Sequence, residues 1–371
     1  MIPVNEPLIL KKEAEYAGEA IKSGWISSEG KFIQDFEKRF ASYVGRSEGI
    51  SVNNGTNALI LAVRALDLPA GSEVILPSFT IISCALACIY NNLVPVFVDS
   101  EKETWNIDVS RIEEKITRKT RMIMPVHIYG HPVDMDAIMA IAKKHRLAVI
   151  EDFAEAIGSE YKGRKCGSFG DISCVSFYAN KVITTGEGGM CVTDNKKLAE
   201  KLRRLKNLAF VPDKRFIHYE LGFNFRMPNI QAAIGLAQLE RIEEHVKKKI
   251  RIGRMYNKML KPLHEKGLLQ LPAEKDWAKN TYWMFGVVLK RAGKQDAKTV
   301  MKRLAEEGIQ TRPFFYPLHK QPAFRKFSWF KKQTLPVSEN LYKYGLYLPS
   351  GLAITDNQVR RVCRAVRKVL V

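Results

Sequence analysis

The chain has 371 residues, of which 46% are hydrophobic and 26% charged, a composition typical of a globular protein with room for two domains. No apolar run approaches the roughly 20 residues that a membrane helix needs, and the first residues lack the layout of a signal peptide, so a cytoplasmic protein is expected. The six cysteines lie mostly in apolar segments without CxxC pairs, which indicates reduced core residues, with structural zinc as a remote alternative and no metal expected.

The formal net charge of +20 is compatible with nucleic-acid binding, because clustered basic residues release counterions from a phosphate backbone. The basic residues are instead spread over amphipathic segments such as 196–206 and 247–254, where solvated helix faces are the simpler explanation. We therefore expect no nucleic-acid partner. The positive surface is expected to attract anionic small molecules such as nucleotide diphosphates.

Short β-branched segments alternate with amphipathic helical patterns over the first two thirds of the chain. The predicted strands span residues 50–53, 73–76, 94–98, 122–126, 148–151, 173–177 and 190–193. The predicted helices between them span residues 56–66, 112–116, 135–145 and 197–205. This alternation predicts an α/β fold with a mostly parallel central sheet flanked by helices. Sheets of that kind place their sites at the carboxyl ends of the strands.

The pattern changes in the last third of the chain. One long helix is predicted from residue 229 to residue 261, followed by a strand at 282–289 and helices at 297–307 and 356–369. We expect a large α/β domain over residues 1–245 and a smaller C-terminal α+β domain over residues 246–371.

Lys181 closes the segment 176–181 (SFYANK), between a predicted strand and the glycine-rich segment 184–189 (TTGEGG). A surface lysine beside a turn is the ordinary explanation of such a residue. Upstream, however, an apolar segment ends in the carboxylates Glu151 and Asp152. A lysine can form a Schiff base with an aldehyde, and a carboxylate can keep a pyridinium nitrogen protonated. The pair is therefore the minimum equipment for pyridoxal 5'-phosphate (PLP).

Residues 53–59 (NNGTNAL) lead from a predicted strand through Gly55 into a helix. Backbone N–H groups and the positive end of the helix dipole suit a phosphate, and the Thr56 hydroxyl adds a donor. Taken alone, the segment is better explained by N-capping from Asn or Thr. Its place at the first helix of the sheet, on the edge where Lys181 and Asp152 are expected, favours phosphate binding.

Five ordered segments resemble the motifs of the DegT/StrS nucleotide-sugar aminotransferases, which are fold type I PLP-dependent enzymes. The segments are residues 55–59 (GTNAL), 77–80 (PSFT), 151–156 (EDFAEA), 176–181 (SFYANK) and 222–227 (GFNFRM). The resemblance extends from residue 24 to residue 317. Within the family it is greatest to the GDP-perosamine synthase subfamily, through residues 129–135 (YGHPVDM), 183–190 (ITTGEGGM) and 281–284 (TYWM).

The resemblance implies roles for the site residues. Lys181 would carry PLP through a Schiff base, Asp152 would pair with the ring nitrogen, and Glu155 would lie near the phenolic oxygen. The phosphate contacts that the family implies are Gly55, Thr56, Ser176 and, from a second subunit, Asn224. Relatives usually have an aromatic residue at the position of Ile81, where an aliphatic side chain would still pack on the ring with less stacking energy.

The resemblance also implies the reaction, a transamination from L-glutamate to the C4 ketone of a nucleotide-linked 4-keto-6-deoxy sugar by a homodimer with shared active sites. The expected acceptor is GDP-4-keto-6-deoxy-D-mannose, which gives GDP-perosamine for lipopolysaccharide O-antigen biosynthesis. A dTDP- or UDP-linked 4-keto or 3-keto sugar is the alternative. A sugar 3-dehydratase is disfavoured, because related dehydratases replace the Schiff-base lysine with histidine. A noncatalytic regulator is a third hypothesis, prompted by the positive charge.

Three further residues are candidates for substrate contacts. Arg226 and Arg312 offer guanidinium forks to a carboxylate or diphosphate, with a structural ion pair as an equal alternative. His319 is a candidate contact to the nucleotide sugar, against the ordinary role of a surface histidine. Trp25 and Trp283 are interpreted as core or loop anchors.

Overall fold

The computed structural model describes residues 1–211, 213–214, 216–290 and 295–371. Its helices are α1 (Lys11–Ser23), α2 (Lys31–Tyr43), α3 (Gly55–Ala65), α4 (Ser83–Ile89), α5 (Met135–His145), α6 (Lys196–Lys206), α7 (Asn229–Leu239), α8 (Ile242–Glu265), α9 (Ala297–Glu306), α10 (Pro336–Tyr344) and α11 (Asp356–Leu370). Its strands are β1 (Glu48–Val52), β2 (Glu73–Pro77), β3 (Val94–Val98), β4 (Thr120–Ile123), β5 (Ala148–Asp152), β6 (Glu160–Tyr161), β7 (Arg164–Lys165), β8 (Ile172–Ser176), β9 (Gly189–Thr193), β10 (Leu269–Gln270), β11 (Ala278–Lys279), β12 (Phe285–Leu289), β13 (Arg312–Pro313) and β14 (Gly345–Leu348).

The central sheet contains seven strands in the order β1-β9-β8-β5-β4-β2-β3. Strand β2 is parallel to β3 and β4, and the parallel pairing continues from β4 through β5 to β8. Within this sheet, whose residues are all described, β9 alone runs against its neighbours. The predicted α/β fold with a mostly parallel sheet is confirmed, and every strand predicted in the first two thirds of the chain is present with slightly shifted ends.

Alternate residues of the central strands pack into two hydrophobic clusters, one on each face of the sheet. Val74 and Leu76 of β2 share a cluster with the apolar residues of α3 and α4. Ile75 between them joins a second cluster that contains Met135 and Ile138 of α5. Strands that are apolar on both faces need cover on both, so helices lie on the two sides. The carboxyl ends of β5 and β8 lie together at one edge, where Asp152 pairs with Cys174.

The C-terminal part of the chain forms an antiparallel sheet in the order β10-β12-β14-β13. Its apolar side chains pack with α8, α9 and α11 around Tyr256 and Phe285. The strand predicted at 282–289 begins only at Phe285, because Tyr282 has a φ of 50°. The domain boundary near residue 245 stays a prediction. Among the described helices, none is both long and apolar enough to cross a bilayer.

The single helix predicted over residues 229–261 is wrong, since α7 and α8 separate at Glu240 and Arg241. The backbone leaves helical geometry at Arg241, with φ −116° and ψ 16°. The Glu240 carboxylate is bound there by Lys12, by Tyr16 and by Arg39 from α1 and α2. No proline, glycine or turn motif stands between the two helices in the sequence, so the local residue types gave no sign of the break. The helix predicted at 112–116 is likewise replaced by two short 3₁₀ turns.

All six cysteines are buried and free, which confirms their predicted place in the core. His127, Glu151 and Cys166 bring one possible metal-ligand atom each to within 4.8 Å of one another. The histidine already uses both ring nitrogens, because Nδ1 accepts from the Val133 N–H at 2.9 Å and Nε2 contacts Glu151 at 2.9 Å. The cluster therefore acts as a hydrogen-bond network.

The Glu151 carboxylate at the end of β5 is fully buried and is the centre of this network. From the described residues it receives five hydrogen bonds, whose donors are His127 Nε2, Gly167 N, Phe169 N, Gly170 N and Ser173 Oγ. Burial by itself would raise the pKa of Glu151, but these bonds, led by the one from His127, lower that pKa to about 2. The carboxylate thereby fixes the 167–170 loop beside the strand end that carries Asp152.

We predict that Glu151→Gln lowers the free energy of unfolding by about 2–4 kcal/mol at pH 7, because the amide would turn an N–H group toward N–H donors. The folded-state pKa of Glu151 lies below its ordinary value of 4.5. Its stabilisation is therefore complete above about pH 4.5 and is lost as the pH falls toward 2. Urea unfolding of both proteins between pH 7 and pH 4 measures the difference, which should shrink below about pH 4.5.

The matched control is Glu265→Gln at the exposed end of α8, which should change the free energy of unfolding by less than about 0.5 kcal/mol. Equal losses in the two variants would contradict the role given to the buried network.

Candidate active site

A cavity of about 350 Å³ opens at the carboxyl edge of the parallel strands. Its walls come from the start of α3, the ends of β5 and β8, and the loop that follows β8. The cavity is also lined by three aromatic residues from the C-terminal part, Trp283, Phe315 and Tyr347. The volume is within the range of pockets that bind small molecules and cofactors. The structure thus places a ligand-sized cavity at the edge where the sequence predicts the site.

Lys181 extends into this cavity from the loop after β8, with 11% of its side chain exposed. Its Nζ lies 4.0 Å from Glu155 Oε1 and 3.7 Å from the centroid of the Trp283 ring. Burial lowers the pKa of Lys181, although the carboxyl groups of Glu155 and Asp152 oppose that shift. The neutral fraction of this amine is therefore larger than that of a lysine in water. The neutral amine is the form that attacks a carbonyl carbon.

Asp152 ends β5 and faces the same cavity with a buried carboxyl group. Its Oδ1 accepts a hydrogen bond from the Ala154 N–H at 3.0 Å, and its Oδ2 accepts one from the Cys84 thiol at 3.3 Å. Burial raises the pKa of Asp152, with the hydrogen bond from Ala154 as the main opposing effect. A cation brought opposite this carboxyl group would favour its ionised form.

Glu155 completes a group of three ionisable residues that face the cavity. Its Oε2 accepts a hydrogen bond from the N–H of Tyr129 at 2.9 Å, and burial raises its pKa. Tyr129 has a φ of 53°, a conformation that non-glycine residues adopt at a cost. Two carboxyl groups and one amine thus share a poorly hydrated space. Burial shifts the pKa of each group in the direction that favours its neutral form.

The start of α3 forms a second part of the cavity. Asn54 caps the helix, because its side chain accepts a hydrogen bond from the Asn57 N–H at 2.8 Å. A Cβ added to Gly55 would come within 2.6 Å of the Ser176 Cβ, so glycine allows the helix to begin directly against the end of β8. The Thr56 and Ser83 hydroxyls meet at 2.8 Å. Backbone N–H groups, the helix dipole and three hydroxyls therefore converge on one side of the cavity, which suits a phosphate.

The structure brings most of the predicted site residues together. The members that line the cavity are Gly55, Thr56, Ile81, Asp152, Glu155, Ser176 and Lys181. In the described part of the chain, Asn224 and Arg226 lie outside this lining, with Arg226 Nε donating to Asn224 Oδ1 at 3.0 Å. The contact of Asn224 with the cofactor phosphate of a second subunit stays a prediction, as does the contact of Arg226 with a carboxylate or diphosphate.

The other two substrate candidates also lie outside the described lining. Arg312 is exposed on β13, where it pairs with Tyr347 of the cavity wall across the strands. His319 is 1% exposed and has both ring nitrogens engaged, Nδ1 with Ser78 Oγ at 2.6 Å and Nε2 with Glu339 Oε1 at 3.0 Å. It is therefore neither a surface histidine nor a group that faces the cavity.

Several cavity residues were not identified from the sequence as part of the site. Ser83 opens α4 and reaches Thr56. Phe315 and Tyr347 come from segments far along the chain, and Trp283, interpreted as an anchor, is 5% exposed and contacts Lys181. Each of these contacts joins segments that are distant in sequence, so no local pattern indicates them.

Comparisons with known proteins agree along the whole chain. Residues 7–367 match the DegT/DnrJ/EryC1/StrS aminotransferase family. The chain is 43% identical to a GDP-perosamine synthase of Escherichia coli O157:H7, over 99% of this chain and 98% of that protein. It is 41% identical to a GDP-perosamine synthase of Caulobacter vibrioides, over 100% and 98% of the two chains. An aminotransferase structure from Psychrobacter cryohalolentis superposes with a TM-score of 0.93 at 29% identity, over 98% of each chain.

We predict that Gly55→Ala weakens binding of PLP by about tenfold or more and leaves binding of pyridoxal, which lacks the phosphate, within about twofold. The added Cβ pushes the start of α3 away from Ser176 and disturbs the N–H groups that would meet the phosphate. Fluorescence or absorbance titration with the two compounds measures both affinities. Gly18→Ala in α1 is the control, because a Cβ there meets nothing within 4 Å. Equal weakening of both compounds would contradict a phosphate site at α3.

Proposed function

The chain belongs to the DegT/DnrJ/EryC1/StrS aminotransferase family, and we propose that it transfers an amino group from L-glutamate to the C4 ketone of a nucleotide-linked 4-keto-6-deoxy sugar. The observation that carries this proposal is the meeting of Lys181, Asp152 and Glu155 in one cavity. The proposed acceptor is GDP-4-keto-6-deoxy-D-mannose, with GDP-perosamine as the product. The similarity to two GDP-perosamine synthases over nearly the full chain supports this choice.

The cofactor in this proposal is PLP, and the residues of the cavity fit it. The close approach of Gly55 to Ser176 forms a cradle of N–H and hydroxyl donors for the phosphate. Asp152 offers a buried carboxylate to the ring nitrogen, Lys181 offers an amine to the aldehyde, and Ile81 offers an aliphatic side chain to a ring face. When bound, PLP supplies a ring that withdraws electrons from the carbon that loses a proton.

Lys181 is the residue that moves protons in the proposed reaction. Because burial lowers the pKa of Lys181, more of the amine than in water is free to accept a proton from the carbon of the donor amino acid. The same nitrogen then delivers that proton to a neighbouring atom, so the lysine keeps no proton from the transfer. Asp152 has to remain ionised throughout, and a cationic ring nitrogen opposite the carboxyl group favours that state.

We further propose a homodimer in which Asn224 of one chain completes the cavity of the other. Asn224 is exposed in this chain and lies outside the described lining of its own cavity. The segment just before it carries exposed apolar side chains, with Leu221 81% and Tyr219 70% exposed. Exposed apolar groups next to a site residue support contact with a second copy.

We predict that Lys181→Ala, supplied with PLP, shows no absorbance change on addition of L-glutamate, whereas the wild-type protein does. Asp152→Asn should retain the cofactor and lose about 10²–10⁴ in kcat, because an amide cannot hold the ring nitrogen in its cationic form. Absorbance spectra and single-turnover kinetics with L-glutamate measure both effects. Lys196→Ala, at the exposed start of α6, is the matched control and should behave as the wild type. A wild-type protein that stays colourless with PLP would exclude the proposed function and favour a noncatalytic role.

The acceptor is tested by incubating the protein with L-glutamate and a panel of GDP-, dTDP- and UDP-linked 4-keto and 3-keto sugars. We expect a product mass with one added nitrogen from GDP-4-keto-6-deoxy-D-mannose, at a kcat/KM at least about tenfold above that of the other sugars. Nitrogen transfer only to a dTDP- or UDP-linked sugar would overturn the choice of acceptor and retain the reaction class. Loss of a sugar hydroxyl without gain of nitrogen would indicate a dehydratase.

A further inference from the structure

Trp283 holds the Lys181 segment at two points. The Nζ of Lys181 lies 3.7 Å from the centroid of its ring, and the indole Nε1–H donates to the backbone oxygen of Asn180 at 2.8 Å. The ring is 5% exposed and forms part of the cavity wall. An aromatic face this close to an amine favours the protonated form of that amine. Trp283 therefore contacts the reacting nitrogen itself, in addition to packing in the core.

A buried lysine on α8 fixes the position of this tryptophan. Lys249 is 2% exposed, and its Nζ donates to the backbone oxygen of Trp283 at 2.7 Å and to that of Ser350. Among the described residues no carboxylate forms a salt bridge with it. Burial lowers the pKa of Lys249 to about 7. Burying an amine without a counterion costs free energy. The two hydrogen bonds that Lys249 donates explain why it is buried there, since they hold the backbone at Trp283 and Ser350 in place.

The backbone next to Trp283 needs such support. Tyr282 has a φ of 50°, which is unfavourable for an aromatic residue. Its ring lies so close to α8 that a Cβ on Gly253 would come within 2.4 Å of it. Ser350, the other partner of Lys249, also accepts from the Phe285 N–H at 3.2 Å through its hydroxyl. Helix α8 and the 350 loop thus hold the strained turn from both sides.

We propose that the face of Trp283 is where the Lys181 amine rests whenever it is not bonded to the cofactor, and that Lys249 is a positioning residue that keeps Trp283 in that place. This inference rests on the function proposed above. In the reaction, neutral Lys181 takes one proton and becomes an ammonium group over the indole face. It then gives that proton to a neighbouring atom and not to the carbon from which the proton came. The ring stabilises the protonated form for as long as the amine carries that proton.

The test adds PLP to the cofactor-free protein and follows, against pH, the rate at which the visible band forms, because this rate rises with the fraction of the free Lys181 amine that is neutral. Trp283→Leu should lower the titration midpoint by about one pH unit, since it removes the group that favours the cation. It should also lower kcat with L-glutamate about tenfold and leave KM within about twofold. Trp283→Phe, which keeps a weaker ring, should show a smaller shift in the same direction and decides the case if the leucine variant does not fold. Trp329→Phe, outside the described cavity lining, is the control and should leave the midpoint unchanged.

Lys249→Met tests the positioning role separately. If Lys249 acts by placing Trp283, its loss should lower the titration midpoint, whereas loss of a nearby positive charge alone would raise it. The Trp283→Leu/Lys249→Met double variant should have the same midpoint as Trp283→Leu, because Lys249 then has no ring left to place. Lys258→Met on the exposed face of α8 is the matched control and should have no effect.

The outcomes separate this inference from the function on which it depends. A wild-type protein that gives no visible band with PLP would remove the proposed function. A band that appears with the same pH midpoint for its rate of formation in the wild type, Trp283→Leu and Trp283→Phe would overturn the role of Trp283 alone. A raised midpoint in Lys249→Met, or effects that add fully in the double variant, would overturn the role of Lys249.

Discussion

The burial of an amine beside two carboxyl groups is the constraint on which the site depends. Lys181, Asp152 and Glu155 share a cavity that aromatic side chains also line, and burial shifts the pKa of each in the direction that favours its neutral form. Such a group is unstable on its own and gains from a ligand that brings a cationic nitrogen opposite Asp152. The same burial keeps the lysine reactive. The proposed cofactor would therefore offset the electrostatic cost of burying these groups. It would also react with the lysine that the same burial keeps neutral.

The two acids at the end of β5 illustrate how one strand serves structure and chemistry together. Successive side chains of a strand point to opposite faces. Glu151 faces a network of five donors from the described residues, which lowers its pKa to about 2. Asp152 faces the cavity, where burial raises its pKa. A fixed charge on one face thus anchors the loop beside the strand, while the acid on the other face stays responsive to a ligand.

The sequence predicted what is local and missed what depends on distant contacts. Periodicity predicts the strands. The rule that parallel sheets carry sites at the carboxyl ends of their strands predicts the place of the Gly55 motif and the shared position of Lys181 and Asp152. The break between α7 and α8 depends on ion pairs from α1 and α2 to Glu240. Lys181 contacts Trp283, which follows the strained turn at Tyr282 and whose backbone oxygen accepts a hydrogen bond from Lys249. These contacts join parts of the chain that are distant in sequence. Single-sequence patterns carry no signal for such pairs.

The charges of the cavity indicate where substrate recognition has to come from. Of the described residues that line it, Lys181 is the only cation, and Asp152, Glu155 and Glu187 are acidic. A cofactor phosphate can be met there by N–H groups and hydroxyls, but a nucleotide diphosphate adds negative charge that this lining does not balance. The net charge of +20 lies elsewhere on the chain, including Arg226 and Arg312 outside the described lining. The proposed reaction would thus use the groups of the cavity, whereas recognition of a nucleotide diphosphate would need cations from outside the described lining.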